Sequence, residues 1–418
     1  MIMREMKDSG ISWVGEIPKE WTIMPLYCFY SERKNKNIFG AENNLLSLSY
    51  GKVIRKDINT SEGLLPSNYN GYNIVEAGDI IIRPTDLQND KRSLRTGLSK
   101  ERGIITSAYI ALKPKNGVNS RFYHYLLHTY DVLKVFYNMG NGVRQGLNFD
   151  EFAKLMVYSP SDTEQQKIAD FLDIECGKID GLKADIQAQI DTLEQYKRSV
   201  ITEAVTHGLN PSAPMKDSGI PWVGQFPTHW TKKKGKYILR YMSKPVKQDD
   251  GVITCFRDGE VTLRSNRRED GFTMADKEIG YQGVDVGDLV VHGMDGFAGA
   301  IGISDSRGKA SPVLNVLNTK QNKKYIMYYL RSMAYGEVFT ALSTGIRVRS
   351  CDLRWNKLAE LLYPLPPIDE QNNIVNYIDE QIARTNEIIA DKKTQIETLD
   401  GYKKSLIYEY VTGKKEVV

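Results

Sequence analysis

The sequence predicts an α+β protein formed by tandem duplication, in which two mixed α/β domains are joined by two long antiparallel coiled-coil helices with pseudo-twofold symmetry. One observation behind this prediction is a near-copy. The segment MKDSGISWVGEIPKEWT at 6–22 returns as MKDSGIPWVGQFPTHWT at 215–231, identical at 12 of 17 positions. The other is a pair of long stretches, 164–208 and 370–413, in which apolar residues recur every three or four positions.

The stretch at 164–208 is predicted to form one helix, because no proline interrupts it and its apolar residues share one face. A helix of roughly 40 residues spans about 60 Å, which exceeds one compact domain, so its apolar face needs a partner. The matching stretch at 370–413 provides that partner. The apolar positions of the first stretch are Ile168, Leu172, Ile179, Leu182, Ile186, Ile190, Leu193, Tyr196 and Val200.

The duplication extends through the interior of both copies. Residues 76–82 correspond to 285–291, and the Gly-Val-Arg at 142–144 returns as Gly-Ile-Arg at 345–347. A short polar segment with two prolines, at 209–214, joins the copies and is typical of a linker. The predicted organisation is a frame segment at 1–17, a first domain at 18–160, a first long helix at 161–208, a linker with the repeated frame segment at 209–226, a second domain at 227–366 and a second long helix at 367–413.

The interior of each domain mixes strands and helices. Predicted strands lie at 79–83, 103–112 and 288–292, and predicted helices rich in Tyr and Leu lie at 121–138 and 323–342. The segments 45–71 and 252–272 share almost nothing, although the flanking frame is nearly copied. A duplicated chain that keeps its frame and varies its inserts is expected to distinguish two targets.

Composition excludes several classes of protein. The chain has 418 residues, 41% hydrophobic and 26% charged, with 56 Lys and Arg against 52 Asp and Glu, which permits a polyanionic partner without requiring one. The four cysteines form no C-x-x-C pair, so they indicate neither a disulfide framework nor a zinc ribbon. The N-terminus lacks the apolar core of a signal peptide, and no apolar run is long enough to cross a bilayer, so a cytoplasmic location is expected.

No catalytic motif is present in the sequence. A phosphate loop, a dinucleotide-binding glycine motif, a zincin motif and the [DN]-P-P-[FYW] of amino-methyltransferases are all missing. His124 and His128 have a spacing that suits a metal, but no third ligand is evident, so two histidines on a partly buried helix are the preferred interpretation. No catalytic residue and no metal site are therefore predicted. The repeated tryptophans belong to the copied frame, and we expect them to pack rather than to stack on bases.

Basic residues cluster at matching places in the two copies and indicate a nucleic-acid partner. Arginine reaches guanine with two hydrogen bonds, Gln and Asn do the same for adenine, and Lys or Arg on phosphates supplies affinity. Solvated surface charge is the alternative for any one of these residues, and the clustering in two repeats favours binding. The candidate DNA-binding residues are Arg83, Lys91, Arg92, Arg95, Arg144, Gln145 and Asn148 in the first copy, and Arg257, Arg264, Arg267, Arg268, Arg347, Arg349 and Arg354 in the second.

These residues together resemble the specificity subunits of type I restriction-modification systems. The resemblance covers nearly the whole chain. It rests on the repeated KDSGI-x-W-x-G-x-x-P-x-x-W opening, on Gly78-Asp79 and Gly287-Asp288, and on PLPPIDEQ-x-x-I at 364–374. The corresponding place in the first copy reads SPSDTEQQKI and lacks the double proline, which we interpret as drift.

The resemblance implies a non-catalytic subunit for host defence and DNA methylation, with one target-recognition domain in each copy. Each domain would read one half of an interrupted double-stranded DNA site, and the long helices would hold the half-sites about six base pairs apart. Two methyltransferase subunits would bring S-adenosylmethionine, and two restriction subunits would bring ATP and Mg²⁺. No cofactor is expected on this chain itself, and no membrane partner.

Two other functions remain open from the sequence. A free-standing regulatory protein could use the same two-headed architecture to bind DNA without enzyme partners. A nuclease or methyltransferase could carry an unrecognised motif in the variable inserts. Turnover by the purified chain with DNA, Mg²⁺ and S-adenosylmethionine would separate the enzyme from both binding proteins.

The two arginines of the repeated Gly-x-Arg, Arg144 and Arg347, provide a first prediction. Arg144→Ala and Arg347→Ala should each weaken recognition of one half-site only, by about 1–3 kcal/mol if the side chain contacts a base. A phosphate contact would instead produce a smaller loss and a shallower salt dependence. Binding assays on targets altered in one half-site at a time measure this, and unchanged affinity in both variants would remove the two residues from the interface.

Overall fold

A computed structural model describes residues 4–59, 68–85, 87, 94–139, 146–267, 279–342 and 353–417. Two compact units divide the chain. The first contains Met1–Ile186 together with Thr394–Val418, and the second contains Gln187–Lys393. Both boundaries fall inside long helices, so each unit receives part of each long helix.

The first unit is built around a four-stranded antiparallel sheet. The described part of the unit contains the strands β1 (Met6–Asp8), β2 (Glu16–Pro18), β3 (Thr22–Pro25), β4 (Tyr30–Glu32), β5 (Leu46–Ser49), β6 (Lys52–Arg55), β7 (Asn73–Val75), β8 (Ile80–Ile82), β9 (Thr96–Leu98), β10 (Gly103–Ile105), β11 (Ile110–Pro114) and β12 (Met156–Ser159). The sheet has the order β4-β11-β8-β9, and the pairs β1-β2, β3-β12, β5-β6 and β7-β10 surround it. The helices are α1 (Ser120–Val132), α2 (Phe149–Phe152) and the long α3 (Asp162–His207).

The second unit repeats this plan. Its strands are β13 (Met215–Asp217), β14 (Gln225–Pro227), β15 (Thr231–Lys234), β16 (Leu239–Tyr241), β17 (Ile253–Cys255), β18 (Val261–Leu263), β19 (Gln282–Val284), β20 (Leu289–His292), β21 (Ile301–Ile303), β22 (Gly308–Ala310), β23 (Leu314–Thr319) and β24 (Leu362–Leu365). Its helices are α4 (Gly235–Ile238), α5 (Lys323–Tyr335), α6 (Val338–Ala341), α7 (Trp355–Glu360) and the long α8 (Ile368–Val411). The central sheet has the order β16-β23-β20-β21.

Register confirms that the two sheets are copies. Ile80 of β8 pairs with Leu112 of β11, and Leu289 of β20 pairs with Leu317 of β23. The predicted strand at 103–112 is two strands, because a turn in which Tyr109 donates its backbone N–H to the Thr106 carbonyl separates β10 from β11. Because of that turn, β10 pairs with β7, whereas β11 pairs with β4 and β8 in the central sheet.

The predicted helices at 121–138 and 323–342 end earlier than expected. Lys134 has φ 62° and Glu337 has φ 56°, and this left-handed backbone interrupts the helix after α1 and after α5. A short helical turn follows each break, at Val135–Asn138 and at α6. Asn119 and Asn322 cap the two helices by accepting backbone N–H groups from the first turn.

The two long helices run antiparallel, as predicted. In the first unit Asp180 of α3 accepts from Lys403 of α8 at 2.7 Å, and Lys183 pairs with Asp400. In the second unit Gln189 accepts from Lys392 at 2.5 Å and Asn386 from Lys197 at 2.8 Å. The partner residue numbers fall as the α3 numbers rise, which defines the antiparallel direction. Buried apolar seam residues are Ile168, Leu172, Ile179, Leu406, Ile407 and Val411 in the first unit, and Ile201, Val205, Ile374 and Ile378 in the second.

The copied frame segments pack where the long helices end. Trp21 is buried with Val411 in the first core, and its Nε1 donates to Glu164 at 2.9 Å. Trp230 is buried with Val205 in the second core, and its Nε1 donates to Glu370 at 3.0 Å. The expectation that these tryptophans pack is confirmed for both.

The Trp230 hydrogen bond provides a prediction about stability. Trp230→Phe keeps an aromatic ring but leaves the Glu370 carboxylate with one donor fewer and opens a small void, so we expect a loss of about 1–3 kcal/mol in the free energy of unfolding. Urea denaturation followed by circular dichroism measures it. Tyr237→Phe is the control, because Tyr237 is 73% exposed; an equal effect in both variants would contradict the packing role.

Candidate nucleic-acid interface

The first copy places only some of its candidate residues at the surface. Arg83 follows β8, is half-buried, and donates its backbone N–H to the Arg95 carbonyl at 2.9 Å. The Arg95 side chain is fully buried and its guanidinium donates to the Thr85 carbonyl. Arg95 is therefore wrong as a DNA contact in this structure, because its donors are used in the protein interior, where no base can reach them.

Asn148 has a structural task. Its side-chain oxygen accepts the Glu151 backbone N–H at 2.9 Å, and Glu151 accepts the Asn148 backbone N–H in return, which forms a capping box at α2. The side-chain oxygen that would contact a base is thus already occupied. The remaining candidates of the first copy, Lys91, Arg92, Arg144 and Gln145, lie outside the described residues.

The second copy places two candidates, Arg257 and Arg267, near the β17-β18 hairpin. Arg257 is exposed and pairs with Asp295 at 3.0 Å. Arg267 pairs with Asp258 and Glu260, both at 2.8 Å, and its guanidinium lies 4.1 Å from the ring centroid of Phe256. These acidic partners hold the guanidinium groups in place at the surface, where exchange of a carboxylate for a phosphate keeps the same hydrogen-bond geometry.

The other candidates of the second copy are placed differently. Arg264 donates to the Thr254 hydroxyl at 3.2 Å across the hairpin. Arg354 is exposed at the N-cap of α7, where it lines a cavity with Tyr241 and Trp355. Arg268, Arg347 and Arg349 lie outside the described residues.

A charge network that the sequence analysis did not identify lies beneath each set of loops. In the first copy Arg33 pairs with the buried Asp79, and Arg102 bridges Glu76 at 2.6 Å and Glu42 at 3.1 Å. Burial raises the pKa of Asp79, although the hydrogen bonds from Arg33 oppose this. The sequence signal for these networks is the repeated acidic-x-Gly-Asp at 76–79 and 285–288, which by itself predicts only the start of a strand.

The second copy builds the same network from different residues. Lys244 contacts Asp285 at 2.7 Å and Asp288 at 2.6 Å, and Arg307 contacts Asp285 at 2.5 Å and Asp250 at 2.8 Å. Hydrogen bonds from Lys244 and Arg307 lower the pKa of Asp285 to about 2. Both networks tie the segment after the edge strand, β4 or β16, to the turn that begins β8 or β20.

The two histidines with metal spacing lie side by side on α1. Their ring centroids are 6.3 Å apart, and within the described ranges no group of three His, Cys, Asp or Glu side chains is arranged to hold a metal ion. Burial, with further repulsion from neighbouring positive charge, lowers the pKa of His124 to about 3 and of His128 to about 4. The Nε2 of His124 is buried and has no hydrogen-bond partner. Both imidazoles are neutral packing groups at neutral pH.

No helix in the described ranges is both long and apolar enough to cross a membrane.

Residues 32–192 match the family model of the type I restriction modification DNA specificity domain. This match agrees with the resemblance that the repeated motifs of the sequence indicate. The putative type I restriction enzyme MjaX specificity subunit of Methanocaldococcus jannaschii is 21% identical over 435 residues, covering 97% of this chain and 96% of the relative. The resemblance to type I specificity subunits, predicted from the sequence, is thereby confirmed.

Solved structures support the fold. A chain from a study of complex assembly and conformational transition in the type I R-M system has a TM-score of 0.65 at 11% identity, covering 96% of this chain and 99% of that one. The HsdS subunit from Thermoanaerobacter tengcongensis is 12% identical, with a TM-score of 0.43 and coverage of 96% and 98%. The first of these confirms the predicted fold class.

The buried histidines predict how stability depends on pH. Both pKa values are lower in the folded state than in the unfolded chain, so the neutral imidazoles support folding above pH 6.5. That contribution is lost as the pH falls from about 6.5 towards 4, with a slope of at most about 1.4 kcal/mol per pH unit for each histidine. Thermal melts between pH 7.5 and 5 should show a steeper loss in the wild type than in the His124→Gln/His128→Gln variant. His207→Gln is the surface control, and equal slopes in all three proteins would contradict the assignment.

Proposed function

We propose that this chain is the DNA-recognition subunit of a type I restriction-modification complex, in which each copy reads one half of a bipartite site with an unread spacer of about six base pairs. The observation that carries the proposal is a repeated frame with divergent surfaces. The central sheets share register and the charge networks recur, whereas the loops above them differ in length and chemistry. Such a pair of readers suits two unlike half-sites better than one palindrome.

The reading surfaces differ where the frames agree. The second copy presents Arg257 and Arg267 from the β17-β18 hairpin. The equivalent β5-β6 hairpin of the first copy carries Arg55, which is held by Glu101, and Lys52, whose side chain is 71% exposed. Basic side chains on both hairpins suit contacts with DNA phosphates and base edges. We propose the surface residues Arg83, Arg257, Arg264, Arg267 and Arg354 as contacts, together with the candidates outside the described ranges: Lys91, Arg92, Arg144, Gln145, Arg268, Arg347 and Arg349.

The long helices expose matching apolar residues in the two units, which supports docking of two methyltransferase subunits. Leu182 of α3 and Tyr402 of α8 are 53% and 56% exposed in the first unit. The residues at the same places in the repeat, Ile388 and Tyr196, are both 46% exposed in the second unit. In each unit the pair lies beside a bond between the helices, Lys183 to Asp400 or Lys197 to Asn386. Two equivalent apolar sites on otherwise polar helix faces suit two copies of one partner.

The partners would supply the chemistry. S-adenosylmethionine would bind the methyltransferase subunits, and ATP and Mg²⁺ would bind two restriction subunits that complete the complex. This chain would contribute sequence recognition and the placement of its partners on DNA. Its place of work would be the cytoplasm, where the host DNA is methylated and invading DNA is cut.

The test of this function is the spacing between half-sites. Four residues inserted between Gln187 and Glu194 lengthen α3 by at most about 6 Å. A second, double-insertion variant carries this insertion and also four residues in the facing part of α8, between Ala390 and Thr394. DNA rises about 3.4 Å per base pair, so the preferred gap should grow by one or two base pairs while both half-site sequences stay unchanged.

A map of methylated adenines in cells that carry each variant and the methyltransferase subunits measures the gap. The double-insertion variant is the better matched of the two, because it preserves the facing of Gln189 and Lys392 in the pairing of the helices. Altered half-site sequences with an unaltered gap would show that the helices do not set the spacing. Methylation that does not depend on this chain would remove the recognition function altogether.

A further inference from the structure

A cavity of about 360 Å³ opens to solvent at one end of the central sheet of the second copy. It is lined by Tyr241, Pro312, Asn315, Arg354, Trp355 and Asn356. Tyr241 ends β16, Asn315 lies in β23, and Trp355 and Asn356 begin α7. Most of its lining side chains therefore come from strands and a helix, which hold them more precisely than a loop would.

The polar groups of this cavity have defined hydrogen-bonding roles. Asn315 is 5% exposed, and its Nδ2 donates to the carbonyls of Val291 at 3.2 Å and Leu353 at 2.9 Å. Those bonds fix the amide and leave Oδ1 as the acceptor, which takes no hydrogen bond from any other described residue. Asn315 Oδ1 at the cavity wall can therefore accept a hydrogen bond from an N–H or O–H group of a ligand.

Two donors face the same cavity. The Tyr241 hydroxyl accepts from Gln282 Nε2 at 3.3 Å, and that amide is oriented by its second bond, to the Leu314 carbonyl. The hydroxyl hydrogen of Tyr241 is therefore left to donate. Asn356 uses its Oδ1 to accept the Lys357 backbone N–H at 3.0 Å, so its Nδ2 is also a donor. The lining therefore combines one acceptor, on Asn315, with donors on Tyr241 and Asn356.

The aromatic lining favours a flat ligand. The rings of Tyr241 and Trp355 are 5.9 Å apart between centroids, with planes inclined at 45°. They form a tilted wall, and aromatic faces of this kind hold nucleobases by stacking or by edge contact. A flat ligand with a donor beside an acceptor on one edge would satisfy both the wall and the polar groups.

The same place in the first copy has different chemistry, although the backbone register agrees. Tyr241 and Glu32 each end the edge strand, and Asn315 and Ile110 pair with the matching residues Val291 and Ile82. Glu32 is bound to Lys34 at 2.7 Å, so the first copy has a carboxylate and an aliphatic side chain where the second has a phenol and an amide. A residue set needed for folding would recur in both copies, as the charge networks do.

We propose that this cavity reads one amino-bearing base, adenine or cytosine, in the half-site of the second copy. The inference rests on the proposed function and names the base chemistry of that site. Asn315 Oδ1 accepts from the exocyclic amino group of either base. If the base is adenine, the Tyr241 hydroxyl or the Asn356 amide also donates to N7, whereas cytosine offers only its amino group in the major groove. Guanine and thymine place a carbonyl where the amino group would be. Two acceptors then meet without a proton between them, which leaves Asn315 Oδ1 without a hydrogen bond and displaces the water that it would otherwise meet.

The experiment compares variants of the full chain in complex with the methyltransferase subunits. Tyr241→Phe and Asn356→Ala each remove one donor without removing a buried group, and Asn315→Ile introduces the first-copy residue. The readout is the methylation rate on a library of sites randomised at each base pair of both half-sites. Asn315→Ile and at least one of Tyr241→Phe and Asn356→Ala should lose about tenfold of the preference at one and the same base pair of the second half-site, with the first half-site unchanged. Glu32→Gln, at the matching place in the first copy, is the control and should leave the second half-site unaltered.

Base analogues test the same contact on the wild-type complex. Purine in place of adenine, or 2-pyrimidinone in place of cytosine, removes only the amino group and should reduce methylation about tenfold at that position. The analogue that has an effect identifies which base is read. This arm needs no substitution, so it decides the matter even if Asn315→Ile does not fold.

The outcomes separate the two levels of the proposal. If the wild-type complex methylates a bipartite site while Tyr241→Phe and Asn356→Ala keep every base preference, the cavity is not a reader and the recognition function stands. An unchanged rate on the analogue substrates would overturn the inference in the same way. If no bipartite site is methylated by the wild-type complex, the recognition function itself fails.

Discussion

The pairing of α3 with α8 is the constraint on which the rest of the structure depends. Each unit buries the beginning of one long helix against the end of the other, so Ile168 and Val411 share one core while Val205 and Ile374 share the second. Residues about 240 or 170 positions apart must therefore meet before either core is complete. Because burial of apolar surface is the main favourable term in folding, neither copy has its full core from its own residues alone.

In each unit the frame segment is attached to a long helix by an equivalent hydrogen bond. A buried tryptophan donates to the glutamate in the first turn of a long helix, Trp21 to Glu164 and Trp230 to Glu370. A hydrogen bond to a charged acceptor is stronger than one between neutral groups, and its direction fixes how the β1-β2 or β13-β14 hairpin meets the helix. The repeated sequence is thus explained by its packing against the long helices, which constrains these segments and leaves the rest of each copy free to differ.

The charge networks divide the rigid base from the variable surface in each domain. Arg33 with Asp79, and Lys244 with Asp288, join the segment that follows the edge strand, β4 or β16, to the turn that starts β8 or β20, which lies two strands away in the central sheet. Above them the first copy presents Glu32 and Ile110 where the second presents Tyr241 and Asn315. The same backbone can hold either set of side chains, because the ion-pair networks stabilise the backbone conformation and these side chains are not needed for that.

Periodicity and repetition in the sequence by themselves determined the duplication, the extent of both long helices, their antiparallel pairing and the packing role of Trp21 and Trp230. These depend on patterns that span many residues, and such patterns survive local exceptions. Helix ends at Lys134 and Glu337, and the turn between β10 and β11, depended on single backbone conformations that no pattern signals. Only the tertiary structure decided that Arg95 is buried, that Asn148 is a helix cap and that Tyr241, Asn315 and Trp355 line one cavity. The physical reason is that a side chain's chemistry is read from the sequence, whereas its exposure and its hydrogen-bond partners are set by residues far away in the chain.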